Sequence, residues 1–477
     1  MMRFDMNKRY FIRIFPLIVL FAGSCTVGPK FKAPVVETPP RYMGAAGTAA
    51  TDLYWWQLFD DTTLTRLIAT AIENNRNVEI AFSRVEQARL TLKETRAGLW
   101  PSVSYGVTGQ YGTESFIGLK SDKPVETYII KPSISWELDL FGKIRRMSEA
   151  DRAQLLATDR AAQGVLVSLV AEVASTYFSY LQYEYAGKTA RQTSISREAT
   201  YALQQQSYAI GSIDELQLRQ GEAAYATAAA ANAQYERASE QALHALSLLL
   251  GQNPSQVVGK HTPLVDLRIP AEVPAGLPSD LLARRPDMVE AYYQVMAANA
   301  QIGVAQAMRF PSIALTGNGG VFSEEFKKLF DHNAWMWSAA GGITGPVFNF
   351  GANKRRVQIM REKHREAIMN YEQCFLQALR EVEDALTAVR TYRTQLESML
   401  TLVTAAEKAD RLSQQQYAAG QISYLDVLET QRTLFDAQSD YAETLSATMS
   451  SYATLYKALG GGIMSPEESA EKSAATQ

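Results

Sequence analysis

Residue types that commonly carry chemistry are scarce in this chain. Its 477 residues include only two cysteines and four histidines, and none of these is spaced like a metal ligand. The sequence contains no GxxxxGK[ST] phosphate loop, no HExxH helix, no CxxC pair and no serine nucleophile elbow. We therefore predict neither an enzyme nor a protein with a metal or a bound cofactor.

Net charge is also nearly absent. The formal charge is −3, with 47% apolar and 20% charged residues. A general nucleic-acid-binding protein would be more basic, and a protein that crosses a membrane with many helices would be more apolar. We expect no nucleic-acid partner and no polytopic helical membrane domain.

Proline is missing, and glycine almost missing, on both sides of a turn centred on Gly420. About sixty residues before this turn and nearly forty after it consist mainly of strong helix formers. At about 1.5 Å per residue the longer arm would extend roughly 100 Å, which is deeper than any globular core. The pattern predicts a long helical hairpin that belongs to a coiled coil or a helical tube.

The same hairpin occurs earlier, with its turn at Gly211, so the spacing between the two copies is 209 residues. Upstream of the helices the spacing becomes 210. A spacing that is kept over some 150 residues indicates an internal duplication. Matching positions are Phe141 and Phe350, Glu172 and Glu381, and Pro101 and Pro311.

The N-terminus has the features of a bacterial export signal. Basic residues from Arg3 to Arg13 precede a short apolar stretch, and Ala22-Gly23-Ser24 leads into Cys25. Small residues before a cysteine resemble the lipoprotein box, so residues 1–24 are predicted to be removed and Cys25 to carry covalent lipid. Thr26 favours sorting to the outer membrane by the same analogy. Plain secretion with a free Cys25 is the alternative, and Cys374 is expected to be a buried thiol.

Composition divides the remainder of the chain into a tether, two repeats and a connection. Pro- and Gly-rich residues 25–51 form the predicted tether. A helix is predicted from Asp52 to Ala97, and Trp55-Trp56 is expected to pack in the core. The predicted divisions are a first repeat at 52–250, an equatorial connection at 251–280, a second repeat at 281–459 and a disordered tail at 460–477.

Each repeat changes from helical periodicity to strict alternation before its long helix. Val103, Tyr105 and Val107 alternate with polar or small residues, and the same alternation surrounds Trp136 after a polar loop at 112–126. The second copy repeats it, so β-hairpins are predicted at about 102–140 and 312–348. Strands of about ten residues with one apolar face are typical of transmembrane β-strands, although a soluble hairpin is amphipathic too.

Four strands are too few to close a barrel in lipid. An open sheet edge would leave backbone groups unsatisfied there, and bacterial barrels begin at about eight strands. Several chains must therefore contribute to one barrel. The basic clusters at Lys143–Arg146 and Lys354–Arg356, which follow the hairpins, are expected either to lie at the membrane boundary or simply to be solvated.

Acidic residues distinguish the second turn from the first. Asp426 and Glu429 lie on one helix face, whereas the corresponding residues of the first repeat are Gln217 and Gln220. In an oligomer they would form acidic rings that attract cations and shape the field at a pore mouth. A solvated helix face is the alternative.

Motifs along nearly the whole mature chain resemble the TolC-type outer-membrane efflux family, in its lipoprotein branch. They are Cys25 to Pro29, Trp55-Trp56 with Phe59-Asp60, Trp136 to Lys143, Arg284 to Asp287, Ala305 to Ser312 and Tyr417 to Gln431.

The resemblance implies a homotrimer. Its three chains would form one 12-stranded transmembrane β-barrel that continues into an α-helical coiled-coil barrel in the periplasm, an α+β membrane fold. The trimer would be a passive exit duct for an inner-membrane pump and a periplasmic adaptor. The adaptor would dock on the helix tips, and the periplasmic gate would be formed by Tyr417, Asp426 and Glu429. The predicted tip residues are Tyr208, Ile210, Gly211, Ser212, Ala419, Gly420 and Gln421.

One position departs from the family pattern. Some relatives have an arginine two residues after the second-turn glycine, where it helps to tether the closed state, but this chain has Ile422. We therefore do not carry over a salt bridge at this position. Drugs or other small solutes are the expected cargo. Alternative functions are a type I protein-secretion duct, a coiled-coil lipoprotein without a pore, or a periplasmic binding module or enzyme.

Overall fold

The computed structural model describes residues 26–42, 55–114, 120–270 and 278–461. The predicted signal peptide, Cys25 and almost all of the predicted tail lie outside these residues. The helices and strands, in chain order, are α1 Thr62–Asn74, α2 Arg76–Ala97, β1 Ser102–Glu114, β2 Lys120–Leu138, α3 Lys143–Ala209, α4 Glu215–Leu249, α5 Leu281–Arg284, α6 Pro286–Ala307, β3 Ser312–Ser323, β4 Trp335–Thr344, α7 Ala352–Ala418 and α8 Tyr424–Ala458.

The four strands form one antiparallel sheet in the order β1-β2-β3-β4. Ser102 is opposite Ser135, Leu138 is opposite Ile313, and Ser312 is opposite Thr344. The predicted loop at 112–126 is wrong over most of its length, because β1 continues to Glu114 and β2 begins at Lys120. Backbone hydrogen bonds extend a β-ladder whether the side chains are polar or apolar. The polar residues at the end of β1 and the start of β2 therefore gave no sign in the sequence that they belong to strands.

The register places the alternating apolar residues of all four strands on one face. Across the sheet Val103 is opposite Ile134, Trp136 is opposite Leu315, and Ile313 is opposite Ile343. This face is exposed in the single chain, where Val103 is 75% exposed and Ile343 is 72% exposed. The other face carries serines that pair across strands, such as Ser104 and Ser133 with hydroxyl oxygens 2.7 Å apart.

The long helices match in length between the repeats. α3 and α7 each have 67 residues, and α4 and α8 each have 35. Among the described helices, α3 is the one that is long and apolar enough to cross a membrane, but 61% of its apolar stretch is buried inside the structure. Burial against neighbouring helices accounts for that apolar composition.

The chain divides into two compact units. The first comprises residues 1–35, 84–159 and 290–372 and contains the sheet. The second comprises residues 36–83, 160–289 and 373–477 and contains both helix-to-helix turns.

The main apolar core belongs to the second unit and is rich in aromatic residues. Trp55 and Trp56 are 2% and 5% exposed, as predicted for core residues, and Trp55 stacks on Tyr456 with ring centroids 5.4 Å apart. Phe59 packs on Phe178 at 5.0 Å. Phe178 comes from the middle of α3, so the segment before α1 is fixed onto the long helix.

The helix predicted to run to Ala97 is divided at Asn75. The Asn75 side chain accepts a hydrogen bond from the Asn77 amide at 2.9 Å and donates to the Leu249 carbonyl at 2.8 Å. It therefore caps the start of α2 and satisfies an orphan carbonyl at the end of α4. Two helices replace the single one expected.

Arg285 is the centre of a buried ionic cluster in the second unit. It is 6% exposed and contacts Asp287 at 2.6 Å and Glu381 at 2.8 Å, and it donates to the Ala458 carbonyl at 2.9 Å. Burial opposes the Arg285 charge, but the two carboxylates outweigh burial and raise its pKa. The cluster fastens the segment before α6 to α7 and α8.

Candidate channel gate and lipid anchor

The first helix-to-helix turn is a glycine-terminated reversal. Gly211 has φ +75°, and the Ser212 amide donates to the Ser207 carbonyl at 2.9 Å. This bond and the Ile210 amide bond to Gln206 satisfy carbonyls that the end of α3 would otherwise leave without partners. The turn leaves Ile210 81% exposed.

The second turn has the same geometry. Gly420 has φ +70°, and the Gln421 amide donates to the Gln416 carbonyl at 2.9 Å. The Ala419 amide bonds to the Gln415 carbonyl at 3.1 Å. Both reversals therefore occur at the predicted glycines, and Gly211 and Gly420 are both exposed.

Asp426 is part of a capping box at the start of α8. Its carboxylate accepts hydrogen bonds from the Ser423 hydroxyl at 2.7 Å and from the Ser423 amide at 2.9 Å. These bonds favour the ionised form and hold the pKa of Asp426 below its usual range, the hydroxyl making the largest contribution. Asp426 is exposed, so this carboxylate is charged and faces solvent.

Glu429 lies one turn further along α8 and is also exposed. It forms an ion pair with Arg432 at 2.7 Å. Tyr417 is 40% exposed and its ring lies 5.6 Å from that of the buried Tyr424. The structure thus brings all three predicted gate residues to one end of the second hairpin, with Glu429 partly neutralised by its neighbour.

The first turn has an acid that the comparison of repeats missed. Asp214 caps α4 by accepting the Gln217 amide at 2.8 Å. Asp214 corresponds to Ser423, and Gln217 corresponds to Asp426. The acid is therefore the capping residue itself in the first repeat and lies three residues after the capping residue in the second. A check of both capping positions, rather than of aligned positions alone, would have found it.

The residues that follow Cys25 lie across the first unit as an extended strap, which we define as Thr26–Phe31. The Val27 amide donates to the Phe141 carbonyl at 3.2 Å, and Arg146 donates to the Val27 and Gly28 carbonyls at 3.1 and 3.4 Å. Further along, Asn299 donates to the Pro29 carbonyl at 3.3 Å.

Two glycines allow the strap to approach the helices. Gly28 has φ +128°, and a Cβ atom there would lie 2.6 Å from the Gly303 backbone. Gly142 has φ +76°, and its Cβ would lie 2.8 Å from the Thr26 side chain. Thr26, and with it the chain just after Cys25, is therefore held against the start of α3.

In the first basic cluster Arg146 is 8% exposed and holds the strap, and Arg145 contacts Asp139 at 3.1 Å. In the second cluster Lys354 and Arg356 are exposed, which both expected roles would require. Cys374 is half-buried rather than fully buried. The sequence did not reveal that Arg146 holds the strap, because its partners there are backbone carbonyls.

Within the described residues no group of acids, histidines and cysteines could hold a metal ion.

The comparisons with known proteins match this architecture. A sequence profile described as "Outer membrane efflux protein" matches residues 67–252 and 277–461, once in each repeat. The chain is 33% identical to the probable outer membrane lipoprotein SilC of Salmonella typhimurium, over 93% of this chain and 97% of that protein. It is 34% identical to the antibiotic efflux pump outer membrane protein ArpC of Pseudomonas putida, over 92% and 93%.

A solved structure gives the same result. The MtrE outer membrane channel of Neisseria gonorrhoeae, in its open state, superposes with a TM-score of 0.81 at 30% identity, covering 92% of this chain and 99% of that one. The fold and both repeats thus define a class of outer-membrane channel proteins. The chain belongs to the outer membrane efflux protein family.

Membership confirms the main predictions. The fold is that of an outer-membrane channel with a helical barrel and a β-barrel to which each chain gives four strands. The protein is a trimeric exit duct of a tripartite efflux system, in which it works with a periplasmic adaptor and an inner-membrane pump. The family is a class of channels and not of enzymes.

Proposed function

We propose that this chain is a lipid-anchored exit duct for small solutes whose periplasmic gate is formed by Tyr417, Asp426 and Glu429. The observation that supports the gate best is the exposure of two acidic side chains near the start of α8, one of them fixed by a capping box. In a trimer each carboxylate would occur three times around one axis. Such rings would attract cations and hold a narrow opening under electrostatic control.

The gate can be tested by removing charge without removing the cap. Asp426→Asn keeps an oxygen that can accept the Ser423 amide, and Glu429→Gln keeps the side-chain length. In planar lipid bilayers we expect the double variant to conduct more strongly and to lose block by trivalent cations. Asp214→Asn is the matched control, because it neutralises a capping acid of the other turn. Unchanged single-channel currents in the double variant would refute the gate.

The two turns are the proposed docking surface for the adaptor. They share a glycine reversal and expose apolar side chains, with Ile210 at 81% and Tyr208 at 43%. Apolar groups of this size at a surface favour protein contacts. We expect Ile210→Glu to weaken binding of the cognate adaptor in pull-down assays while leaving bilayer conductance intact. Binding at the parental level would exclude the first turn from the docking surface.

The covalent lipid is proposed on Cys25. The strap supports this role, because it holds Thr26 beside Gly142, at the point where the sheet gives way to α3. A lipid on Cys25 would therefore start near the end of the sheet that is joined to α3. Labelled palmitate should be incorporated by the parental chain and not by Cys25→Ala, with Cys374→Ala as the matched control. Equal incorporation in Cys25→Ala would refute the site.

Solute class is proposed from the relatives as a group. Their names include an antibiotic efflux protein and a cation efflux protein, so the same fold serves chemically different cargoes. We propose that the duct itself discriminates weakly and that the pump selects the cargo. Replacing the pump and adaptor by those of a related system, while keeping this duct, should change which compounds the cells resist.

A further inference from the structure

The two repeats meet inside the chain at the place where the sheet joins the long helices. Phe141, just after β2, stacks on Phe310, just before β3, with ring centroids 4.6 Å apart and ring planes 14° apart. The strand pairing beside this stack places Leu138 opposite Ile313. Stacked aromatic rings stabilise a contact beyond the apolar area that they bury. We call the stack of Phe141 on Phe310 the in-chain clasp.

The duplication gives each half of the in-chain clasp a counterpart. The 209-residue spacing relates Phe141 to Phe350, and the 210-residue spacing relates Phe310 to Trp100. The pairing registers of the two β-hairpins keep both spacings, so the repeats correspond residue by residue at this level. The chain therefore contains the two halves of a second clasp.

Within the single chain these two halves lie at opposite edges of the sheet. Trp100 precedes β1 and Phe350 follows β4, and β1 and β4 are the edge strands. Trp100 is 74% exposed and Phe350 is 81% exposed. The ring of Phe350 lies against Phe348, which is itself largely exposed. Each open edge of the sheet thus ends in a large aromatic group that the chain does not cover.

The backbone of Phe350 has a conformation that aromatic residues rarely adopt. Its φ is +51°, in the left-handed region, and the Arg355 guanidinium donates to its carbonyl at 2.8 Å. This region costs free energy for any residue that has a Cβ atom. An exposed ring returns none of that cost in the single chain, whereas a ring bound to another chain would.

The trimer brings the two edges together. The barrel contains four strands from each of three chains, so β4 of each chain lies beside β1 of the next. The in-chain pairing of Ile134 with Gly317, carried over by the two spacings, sets Ile343 opposite Val107 of the partner subunit. Both side chains are exposed and belong to the apolar face. A slip by one residue would turn one apolar face inward, so this register is one that keeps the faces together.

We propose that Phe350 of each chain stacks on Trp100 of the partner subunit, forming an inter-chain clasp that repeats the in-chain clasp. The two kinds of clasp then alternate around the junction between the barrel and the helices. Each inter-chain clasp joins the end of β4 to the start of the neighbouring β1 and so fixes their register. This inference rests on the trimer and not on the proposed gate, so either can fail without the other.

Chemical cross-linking tests the contact directly. The chain with Trp100→Cys and Phe350→Cys, purified as the full-length trimer and treated with a short bis-maleimide, should give bands of two and three chains on denaturing gels. All variants carry Cys374→Ala, which removes the native thiol on α7. Phe141→Cys with Phe310→Cys is the matched control, because these positions meet within one chain and should give a single-chain band. Neither Trp100→Cys nor Phe350→Cys alone should produce the larger bands.

Two results would overturn the proposal. One is a single-chain band from the pair at Trp100 and Phe350 under conditions in which mass spectrometry shows that the control pair is cross-linked. The other is rapid labelling of Phe350→Cys in the intact trimer by a lipid-soluble maleimide, because this position would then face lipid and not a second chain.

Heat dissociation measures what the clasp contributes to assembly. Phe350→Ala should lower the temperature at which the detergent-extracted trimer dissociates by about 5 °C, because it removes the stacked ring. Phe350→Tyr keeps the ring and should behave like the parent. Phe330→Ala is the matched control, since Phe330 is 78% exposed in the loop between β3 and β4, at the other end of the sheet. Equal dissociation temperatures for the parent and Phe350→Ala would show that the ring joins no second chain.

Discussion

At the scale of single residues, the stability of the second unit depends on polar groups that are buried with all their partners. Asp61 is 3% exposed and caps α1 by accepting the Thr63 amide at 2.7 Å, and it also accepts the Tyr177 hydroxyl at 2.8 Å. Burial, reinforced by the Asp61 charge, raises the pKa of Tyr177, so the hydroxyl remains a donor.

Tyr177→Phe should destabilise the protein although it keeps the ring. The change leaves one oxygen of the buried Asp61 without its donor, which costs about 1–2 kcal/mol of unfolding free energy. Chemical denaturation of the purified protein measures it. Tyr183→Phe is the matched control, since Tyr183 packs against the same core and its hydroxyl has no hydrogen bond to the part of the chain that the structure describes. Equal loss in both variants would mean that ring packing, and not the Asp61 contact, is responsible.

Asp287 should make stability depend on pH in the acid range. Burial raises its pKa, but the hydrogen bonds and charge of Arg285 outweigh burial and lower that pKa below the ordinary 3.8. A carboxylate with a lowered folded-state pKa stabilises the protein above its unfolded-state pKa and loses that contribution as the pH falls through the folded-state value. Asp287→Asn should therefore lower the melting temperature at pH 7.

The difference between Asp287→Asn and the parent should shrink as the pH falls below about 4. A pH-independent difference would assign the effect to packing instead of to the ion pair.

At the scale of elements, the strap can be loosened through one glycine. Gly142→Ala combines a left-handed backbone, φ +76°, with a Cβ that would meet Thr26 at 2.8 Å. The strap should therefore detach, and trypsin should cut after the exposed Lys30 and Lys32 faster than in the parent.

Gly211→Ala is the control for the strap, because φ there is +75° but nothing lies within 4 Å of the added carbon. It should cost about 1 kcal/mol from the backbone alone and leave strap cleavage unchanged. Equal cleavage of the parent and Gly142→Ala would show that this contact does not hold the strap.

Elements defined by periodicity could be predicted from the sequence, and elements defined by backbone contacts could not. The long helices, both glycine turns and the alternation around Trp136 follow from composition and spacing. The outer parts of β1 and β2 were missed because a hydrogen-bonded ladder does not need apolar side chains. Arg146 and Asn299 were missed because they bind carbonyls of the strap, which leave no trace in side-chain patterns.

The gate was predictable only in part, for a related reason. Asp426 and Glu429 were visible as an acidic pair absent from the first repeat, but the bond of Asp426 to Ser423 and the ion pair of Glu429 with Arg432 depend on local geometry.

At the scale of the whole molecule, the apolar face of the four-stranded sheet requires both lipid and other chains. Val103, Tyr105 and Ile343 are largely exposed on that face, and a sheet with open edges cannot remain in a bilayer. The detergent-extracted protein should have the mass of three chains and show a small current that depends on its acidic residues. A monomer or dimer without current would contradict this assembly, and Arg191→Leu trimers, altered only at an exposed helical site, are the control for extraction.

The equal lengths of α3 and α7 limit how the sequence can change. Both have 67 residues, so each turn lies the same number of residues from the start of its long helix. Deleting one residue from one helix would draw its turn back by about 1.5 Å and rotate it by about 100° relative to the other, which would misplace every later side chain. Insertions and deletions in this part of the gene should therefore be tolerated only when both repeats change together and by whole heptads.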